Sequence, residues 1–266
     1  MLKSLKEKIN GKYAVVTGAS RGLGKSFSIE LARCGINPIL VSSNDQISAF
    51  CTELRNTYHV DSQYIVADLT NRQSLFDAAQ EINSKYEVFL LINNAGIGGS
   101  RCFEEVGVEY VEKILDLNVK ATTLLTKLLI DNLLRQDKSY VLNVASMAAL
   151  TPIGYKMVYP ASKAFIYNFS MSLRAEYRKK GLSVSVVCPG AMATSPDIIA
   201  RIQKQGHLGK LTLVSTQHVA KKCVLETLLG KREILVNPVG HFFSKITPLN
   251  IKTPILTRIV RRETMK

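Results

Sequence analysis

Tyr159 and Lys163 stand four residues apart at the start of a segment with helical periodicity, which puts both side chains on one helix face, about one turn apart. A free tyrosine titrates at about 10 and is a poor proton carrier at neutral pH. A neighbouring ammonium favours the phenolate and lowers that pKa. A Tyr–Lys pair at this spacing is therefore suited to moving a proton to or from oxygen. The spacing alone is common, and an exposed tyrosine beside a solvated lysine shows the same pattern. Ser146 shifts the balance. It follows an apolar run read as a strand, at the carboxyl edge where open α/β sheets bind ligands, and its hydroxyl can hydrogen-bond a substrate oxygen.

A second cluster lies near the beginning of the chain. Thr17-Gly18-Ala19-Ser20-Arg21-Gly22-Leu23-Gly24 directly follows the apolar run Tyr13–Thr17 and opens a helical segment. Glycines there permit a tight turn and close approach of backbone to a phosphate, and the helix start offers free N–H groups and a partial positive charge. The spacing is G-x-x-x-G-x-G, not the commoner G-x-G-x-x-G.

Both clusters sit in an alternation of strands and helices. Strands are expected at 13–17, 38–41, 62–67, 88–93, 140–144, 184–188 and 233–237. Helices are expected at 21–34, 47–58, 74–86, 159–179 and 216–229, with one or two more in the Leu-rich stretch 106–134. Short continuous apolar strands alternating with helices define a parallel sheet covered on both faces, so the fold class is α/β, a single doubly wound, Rossmann-type sheet. No repeat or linker interrupts residues 1–240, which read as one domain. The segment 190–215 has little periodicity and the length of a substrate loop or lid. Residues 241–266 form a basic amphipathic tail, which Pro248 and Pro254 are expected to break into short pieces, with a short helix at 255–262.

Composition narrows the function classes. The 266 residues suffice for a full core without disulfides or metal, and the five cysteines are scattered, odd in number and unpaired in spacing. The four histidines have no ligand spacing, so no metal is expected. The N-terminal segment lacks a continuous apolar run of the signal-peptide kind, and a cytoplasmic protein, with membrane association through its tail, is the expectation. The net charge of +14 favours anionic partners. No zinc finger, aromatic RNA-binding motif or Lys/Arg block is present, and no nucleic acid is expected as a partner.

Taken together and in order, these residues resemble the short-chain dehydrogenase/reductase family over about residues 11 to 237. The glycine turn is similar to that family's cofactor turn, with Thr17, Gly18, Ser20, Arg21, Gly22 and Gly24 in it. Asp68 matches the aspartate that contacts adenine, and Asn94, Ala95 and Gly96 lie in its N-N-A-G segment, where Asn93 is expected to be structural. Asn118, Ser146, Tyr159 and Lys163 match the catalytic tetrad. Pro189, Gly190 and Thr194 match the segment that touches the nicotinamide carboxamide. The resemblance implies that Ser146 polarises a carbonyl, Tyr159 exchanges the proton, Lys163 holds the nicotinamide ribose and lowers the Tyr159 pKa, and Asn118 positions a relay water. The position of Asn118 equally fits a helix kink or a core polar residue, and that of Asp68 a helix cap.

NADP(H) is favoured over NAD(H). No carboxylate stands in Val41-Ser42-Ser43-Asn44, where NAD-preferring members bond the ribose hydroxyl, and Arg21 can meet a 2′-phosphate, although Ser43 replaces the usual second basic residue. Met192, Ile198, Ile199, Ile202, Leu208, Leu211 and Leu213 make the substrate loop apolar, as suits a steroid or acyl-chain ketone or alcohol. Helix 121–134 and the helix after Tyr159 resemble the family's dimerising pair, so a homodimer or homotetramer is expected. The tail fits peripheral contact with an anionic membrane or packing on a partner subunit. Two other readings stay open at this point: a cofactor-binding regulatory or scaffold protein on the same fold, whose mark would be a broken tetrad, and a basic nucleic-acid-binding protein.

Overall fold

Apolar runs of four to six residues form the strands of one parallel sheet. They are β1 (Tyr13–Thr17), β2 (Asn37–Ser42), β3 (Gln63–Val66), β4 (Val88–Asn93), β5 (Ser139–Val144) and β6 (Leu182–Val187), with the two-residue β7 (Glu233–Ile234) at one edge. The computed structural model describes residues 9–190, 192 and 214–264. The strand order is β3-β2-β1-β4-β5-β6-β7, and every neighbouring pair is parallel. The chain winds outward from β1 in one direction, then returns to β4 and winds in the other. A crevice therefore opens beyond the carboxyl ends of β1 and β4.

Alternate strand residues feed two cores. On one face, Val16, Leu40, Ile92 and Leu142 pack with Phe27 and Leu31 of α1 (Gly22–Arg33), Leu54 of α2 (Ile47–Tyr58) and Val219 of α7 (Thr216–Leu228). On the other, Val15, Ile39, Leu91 and Val141 pack with Leu75 and Ile82 of α3 (Arg72–Lys85) and Leu125 and Leu129 of α5 (Thr122–Leu134). The period of two along each strand and of three to four along each helix is what both cores require.

The stretch read as one or two helices is a single helical run. α4 (Val108–Leu115) passes into α5 through a wider turn at Asp116–Ala121, with no loop between them. Such π-type turns insert an extra residue into a helix and re-aim the side chains around it. α6 (Tyr159–Tyr177) begins at the tyrosine itself, with Pro160 in the first turn, where its missing N–H costs nothing. The tail differs from expectation. α8 (Pro238–Ile246) and α9 (Leu249–Thr264) are separated near Pro248, but Pro254 lies inside α9. Pro254 removes one helical bond, but Lys252 and Thr257 on either side of it are bonded to Leu150 and Gly154, which holds the helix across the gap.

A buried polar ladder ties the central strands to the helices. Asn93 Nδ2 donates to Asn143 Oδ1 at 2.8 Å and to Thr126 Oγ1 at 2.9 Å, and Asn143 Nδ2 donates to Ser170 Oγ at 2.9 Å. All four residues are buried, so each lost partner strands a polar group in the core. Asn143→Ala is expected to lower the unfolding free energy by about 2–3 kcal/mol in a urea titration. A loss below about 0.5 kcal/mol would show that the ladder does not support the fold.

Candidate active site

The crevice between β1 and β4 is closed by a hydrogen-bond clamp. The buried Thr17 hydroxyl accepts the N–H groups of Asn94 at 2.9 Å and Ala95 at 3.0 Å. In return, Asn94 Nδ2 donates to the carbonyls of Thr17 at 2.9 Å and Gly18 at 3.3 Å. Gly18 takes a φ of +65° and Gly22 one of +56°, in the region that costs an L-residue about 1–2 kcal/mol. A Cβ on Gly24 would collide with the Gly18 carbonyl oxygen and with the Asn94 amide, so α1 can approach the turn this closely only with a glycine there. Arg21 caps α1 with an extended backbone and no side-chain hydrogen bond, which leaves the first N–H groups of the helix open to an anion. Ser20 is half-buried beside it, and Arg21 is exposed. The Ala19 N–H reaches the Val41 carbonyl at 3.3 Å, which brings the end of β2 alongside. Ser43 is exposed there, and no carboxylate stands among residues 41–44.

Across the crevice, β5 ends at Val144 and delivers Ser146. Its Oγ accepts the Ala148 N–H at 3.1 Å, which fixes a short turn at Met147–Leu150, and the Met147 N–H binds the Pro189 carbonyl at 3.0 Å. That last bond draws Pro189 and Gly190, at the end of β6, to the same edge. Lys163, from the second turn of α6, is 5% exposed, and its Nζ donates to the Val144 carbonyl at 2.9 Å. Tyr159 lies one turn earlier, with Lys163 Nζ 5.9 Å from its ring centre. The segment leading into it is strained: Tyr155 and Met157 have φ values of 61° and 55°.

Two glycines that follow β4 make room for this pair. A Cβ on Gly96 would lie 3.2 Å from Lys163 Nζ and 3.0 Å from Asn118 Oδ1, and one on Gly98 would press into the Tyr159 ring at 2.6 Å. Gly98 is absent from the residues singled out by sequence. Its position two residues after Gly96 is a signal that was there to be read. Asn118 sits in the wide turn and is fully buried. It accepts the Ile97 N–H at 2.9 Å, and donates to the Ile97 carbonyl at 2.9 Å and to the Ser162 hydroxyl at 3.0 Å. Its side chain thus fastens the loop after β4 to α6, and Ser162 is a second partner that sequence did not name.

Asp68 lies apart from this group, exposed after β3. Its carboxylate accepts from the Thr70 N–H and hydroxyl at 2.9 and 2.7 Å, bonds that hold its pKa below the usual carboxylate value. The cap of α3 is Asn71, which accepts the Ser74 N–H at 3.0 Å, so Asp68 organises the preceding turn and does not cap the helix. Thr194, like most of the substrate loop 190–215, lies outside the described residues.

Burial governs the electrostatics. Desolvation lowers the Lys163 pKa to about 8. The Tyr159 phenol is pushed up by burial, against a downward pull from its hydrogen bond with Ser146. The sequence expectation assigned that downward pull to Lys163; in this geometry it comes from Ser146, and the lysine's own loss of hydration is the larger effect on the ammonium. Tyr159 is therefore a neutral phenol at neutral pH, able to donate to an oxygen that bears developing charge.

The open helix start beside glycines, the crevice at the sheet's switch point and a buried cation across from them together fit a dinucleotide with a nicotinamide end. The short chain dehydrogenase family model matches residues 12–204, and the chain belongs to that family. It is 33% identical over 198 residues to a very-long-chain 3-oxoacyl-CoA reductase of Anas platyrhynchos, covering 72% of this chain and 63% of the relative. It is 34% identical over 188 residues to a 17-beta-hydroxysteroid dehydrogenase type 3 of Mus musculus, covering 69% of this chain and 61% of the relative. The chain thus spans about three-fifths of the length of these relatives. Among solved structures, a short chain dehydrogenase/reductase from Burkholderia phymatum in complex with NAD shares the fold, with a TM-score of 0.79 at 20% identity, covering 90% of this chain and 93% of that one.

The buried ammonium gives a stability test. With a pKa of about 8 in the folded chain against 10.5 unfolded, the lysine destabilises the fold fully below pH 8, and the cost fades as pH rises toward 10.5. Lys163→Met, which removes the charge, is expected to unfold at an equal or higher urea concentration at pH 7. Its margin over the natural chain, roughly 3 kcal/mol at most, should shrink between pH 8 and 10.5. A variant clearly less stable at pH 7 would show that the bond to Val144 outweighs desolvation.

Proposed function

We propose that the chain is an NADP(H)-dependent oxidoreductase that interconverts a ketone and a secondary alcohol, and that it reduces an apolar, lipid-like carbonyl of the steroid or acyl-chain kind. The observation that carries this reading is the convergence of Ser146, Tyr159 and Lys163 on one sheet edge, across the crevice from the glycine turn. When bound, the cofactor supplies the hydride. Ser146 orients the carbonyl, and Tyr159 donates the proton of its phenol to the carbonyl oxygen or takes one back in oxidation. Lys163 holds the ribose with its buried ammonium. Asn118 positions the loop after β4 against α6, and a relay water is held in the wide turn around it.

The cofactor choice rests on this chain's own residues. Arg21 stands at the open start of α1, with the end of β2 beside it, an arrangement that suits a 2′-phosphate and lacks the carboxylate that would bind a free ribose hydroxyl. Asp68 is assigned to the adenine edge, and Thr194 with Pro189 and Gly190 to the carboxamide. The substrate class follows from the apolar residues of 190–215 and agrees with the names of the two relatives. Homodimerisation through α5 and α6 is supported by Phe165, exposed on α6 and stacked on Phe169 at 6.1 Å.

A screen of ketones, followed by NADPH absorbance, tests the reading. Bulky apolar ketones are expected as substrates, and Tyr159→Phe should lower kcat by about a thousandfold while NADPH still binds. Tight NADPH binding without turnover of any ketone would favour the scaffold reading. Arg21→Ala is expected to weaken NADPH binding about tenfold and leave NADH binding unchanged. Equal affinity of the natural chain for the two cofactors would overturn the NADP(H) assignment.

A further inference from the structure

We propose that the outer face of α8 and α9 docks on an anionic lipid bilayer and sets the walls beside Tyr159 against it. Phe242, Phe243 and Ile246 of α8, and Leu249, Ile251 and Ile255 of α9, are each more than half exposed. No other stretch of the described chain gathers so many large exposed apolar side chains. Along α9, Ile251, Ile255, Arg258 and Arg262 follow the i, i+4, i+7, i+11 spacing of one helix face, and all four are exposed. The opposite face, with Leu256, Ile259 and Val260, turns toward the protein.

Charge selects the partner. Between Ile234 and Arg262 there are five Lys or Arg residues and no Asp or Glu. Lys245 is used internally, on Glu233 at 2.9 Å, and Lys252 on the carbonyls of Leu150 and Ser244. Arg261 lies near Cys102, whose neighbours include Glu104 and Glu105. Arg258 and Arg262 remain to meet lipid phosphates. An apolar stripe that continues into arginines suits the interfacial layer of an anionic membrane. A second copy of this face would bring the same net positive charge to the contact, where an anionic surface brings the opposite one, so a second copy is the poorer fit. No helix among the described residues is long and apolar enough to cross a membrane, so the contact is one of docking.

The face is rigidly joined to the site. Glu233, on β7, meets Lys245 and His241 of α8 at 2.9 and 3.0 Å and seats that helix on the sheet edge. The Thr257 hydroxyl accepts the Gly154 N–H at 3.0 Å, and Lys252 holds the Leu150 carbonyl at 2.9 Å, both within the segment that joins Ser146 to Tyr159. Arg261 comes near Cys102, just past the Gly98 loop that backs the tyrosine ring. A docked molecule would hold both walls at the membrane surface, where an apolar carbonyl substrate partitions. The delivery of substrate rests on the reductase reading; the docking itself does not.

The test is flotation of the full chain with phosphatidylcholine vesicles, with or without phosphatidylserine. The chain is expected to float with the phosphatidylserine vesicles only, and to be released by high salt. R258Q/R262Q should weaken partitioning about twenty-five-fold, at about fivefold per charge. F242S/F243S should weaken it more than tenfold. Both variants should retain the natural chain's NADPH-dependent turnover of a water-soluble ketone. Failure to float with phosphatidylserine, or equal flotation of both variants and the natural chain, overturns the proposal. So does a concentration-dependent oligomer, seen by light scattering, that F242S/F243S dissociates, because the face then seats a second copy. Flotation without ketone turnover in the natural chain supports docking and overturns the reductase reading alone.

Discussion

The Thr17 hydroxyl stands at the one point where the two halves of the sheet diverge. By accepting two N–H groups from the residues just after β4, it replaces the ladder bonds that β1 and β4 lose as they part. Asn94 closes the loop by donating back to the glycine turn. Everything on the working edge is measured from this clamp. It sets the height of the glycine turn under α1, and it fixes the path of residues 95–98, where missing side chains leave space for Lys163 and Tyr159. A buried hydroxyl satisfied by two donors is costly to disturb, so the clamp gives the crevice a firm floor.

The buried lysine shows how such a floor is used. A solvated ammonium on the surface of α6 would be cheaper by the measure of stability alone. Packed to 5% exposure it has one carbonyl partner, and its pKa falls to about 8. A single hydrogen bond to a charged group returns about 1.5–3 kcal/mol, an amount comparable to that cost, so burial brings this lysine little net stability. In the proposed reading the return is reactivity: a poorly hydrated cation interacts strongly with whatever polar group is brought to it. The strained backbone at Tyr155 and Met157, just before the tyrosine, belongs to the same pattern of local cost at a working site.

What could be read from sequence follows from range. β1, α2 and β4 were legible to the residue, because an apolar run bounded by polar or glycine residues needs no distant partner to define it. The glycine turn and the spacing of the Tyr–Lys pair were legible for the same reason, but the pair's electrostatics were not, because burial and the distant Ser146 set them. The uses of Asn118 were not, because Ile97 is 21 residues away and Ser162 is 44 away. The passage through Pro254 was misread because the rule against proline in a helix says nothing of what holds the helix down; here Lys252 and Thr257, on either side of it, are both bonded to the segment before Tyr159. The cluster of Glu233, His241, Lys245 and Tyr167 was invisible, since its members come from α6, β7 and α8 and none has a spacing that signals the others.

That cluster also explains why α8 and α9 behave as part of the domain and not as an appended tail. Burial pushes the Glu233 carboxyl upward, yet hydrogen bonds from Lys245 and Tyr167 win, and it stays below its ordinary value. His241 moves the other way, down, chiefly because it is buried. At neutral pH the cluster is therefore a carboxylate held by one ammonium and a phenol, with a neutral imidazole 3.0 Å away, and its charge is balanced inside a partly dry site. With α8 anchored by such a site and α9 seated through Leu256, Ile259 and Val260, the other apolar residues of the pair are not needed for attachment. Phe242, Phe243, Ile246, Ile251 and Ile255 are left facing outward, and an exposed apolar patch on a protein surface commonly marks a site of interaction.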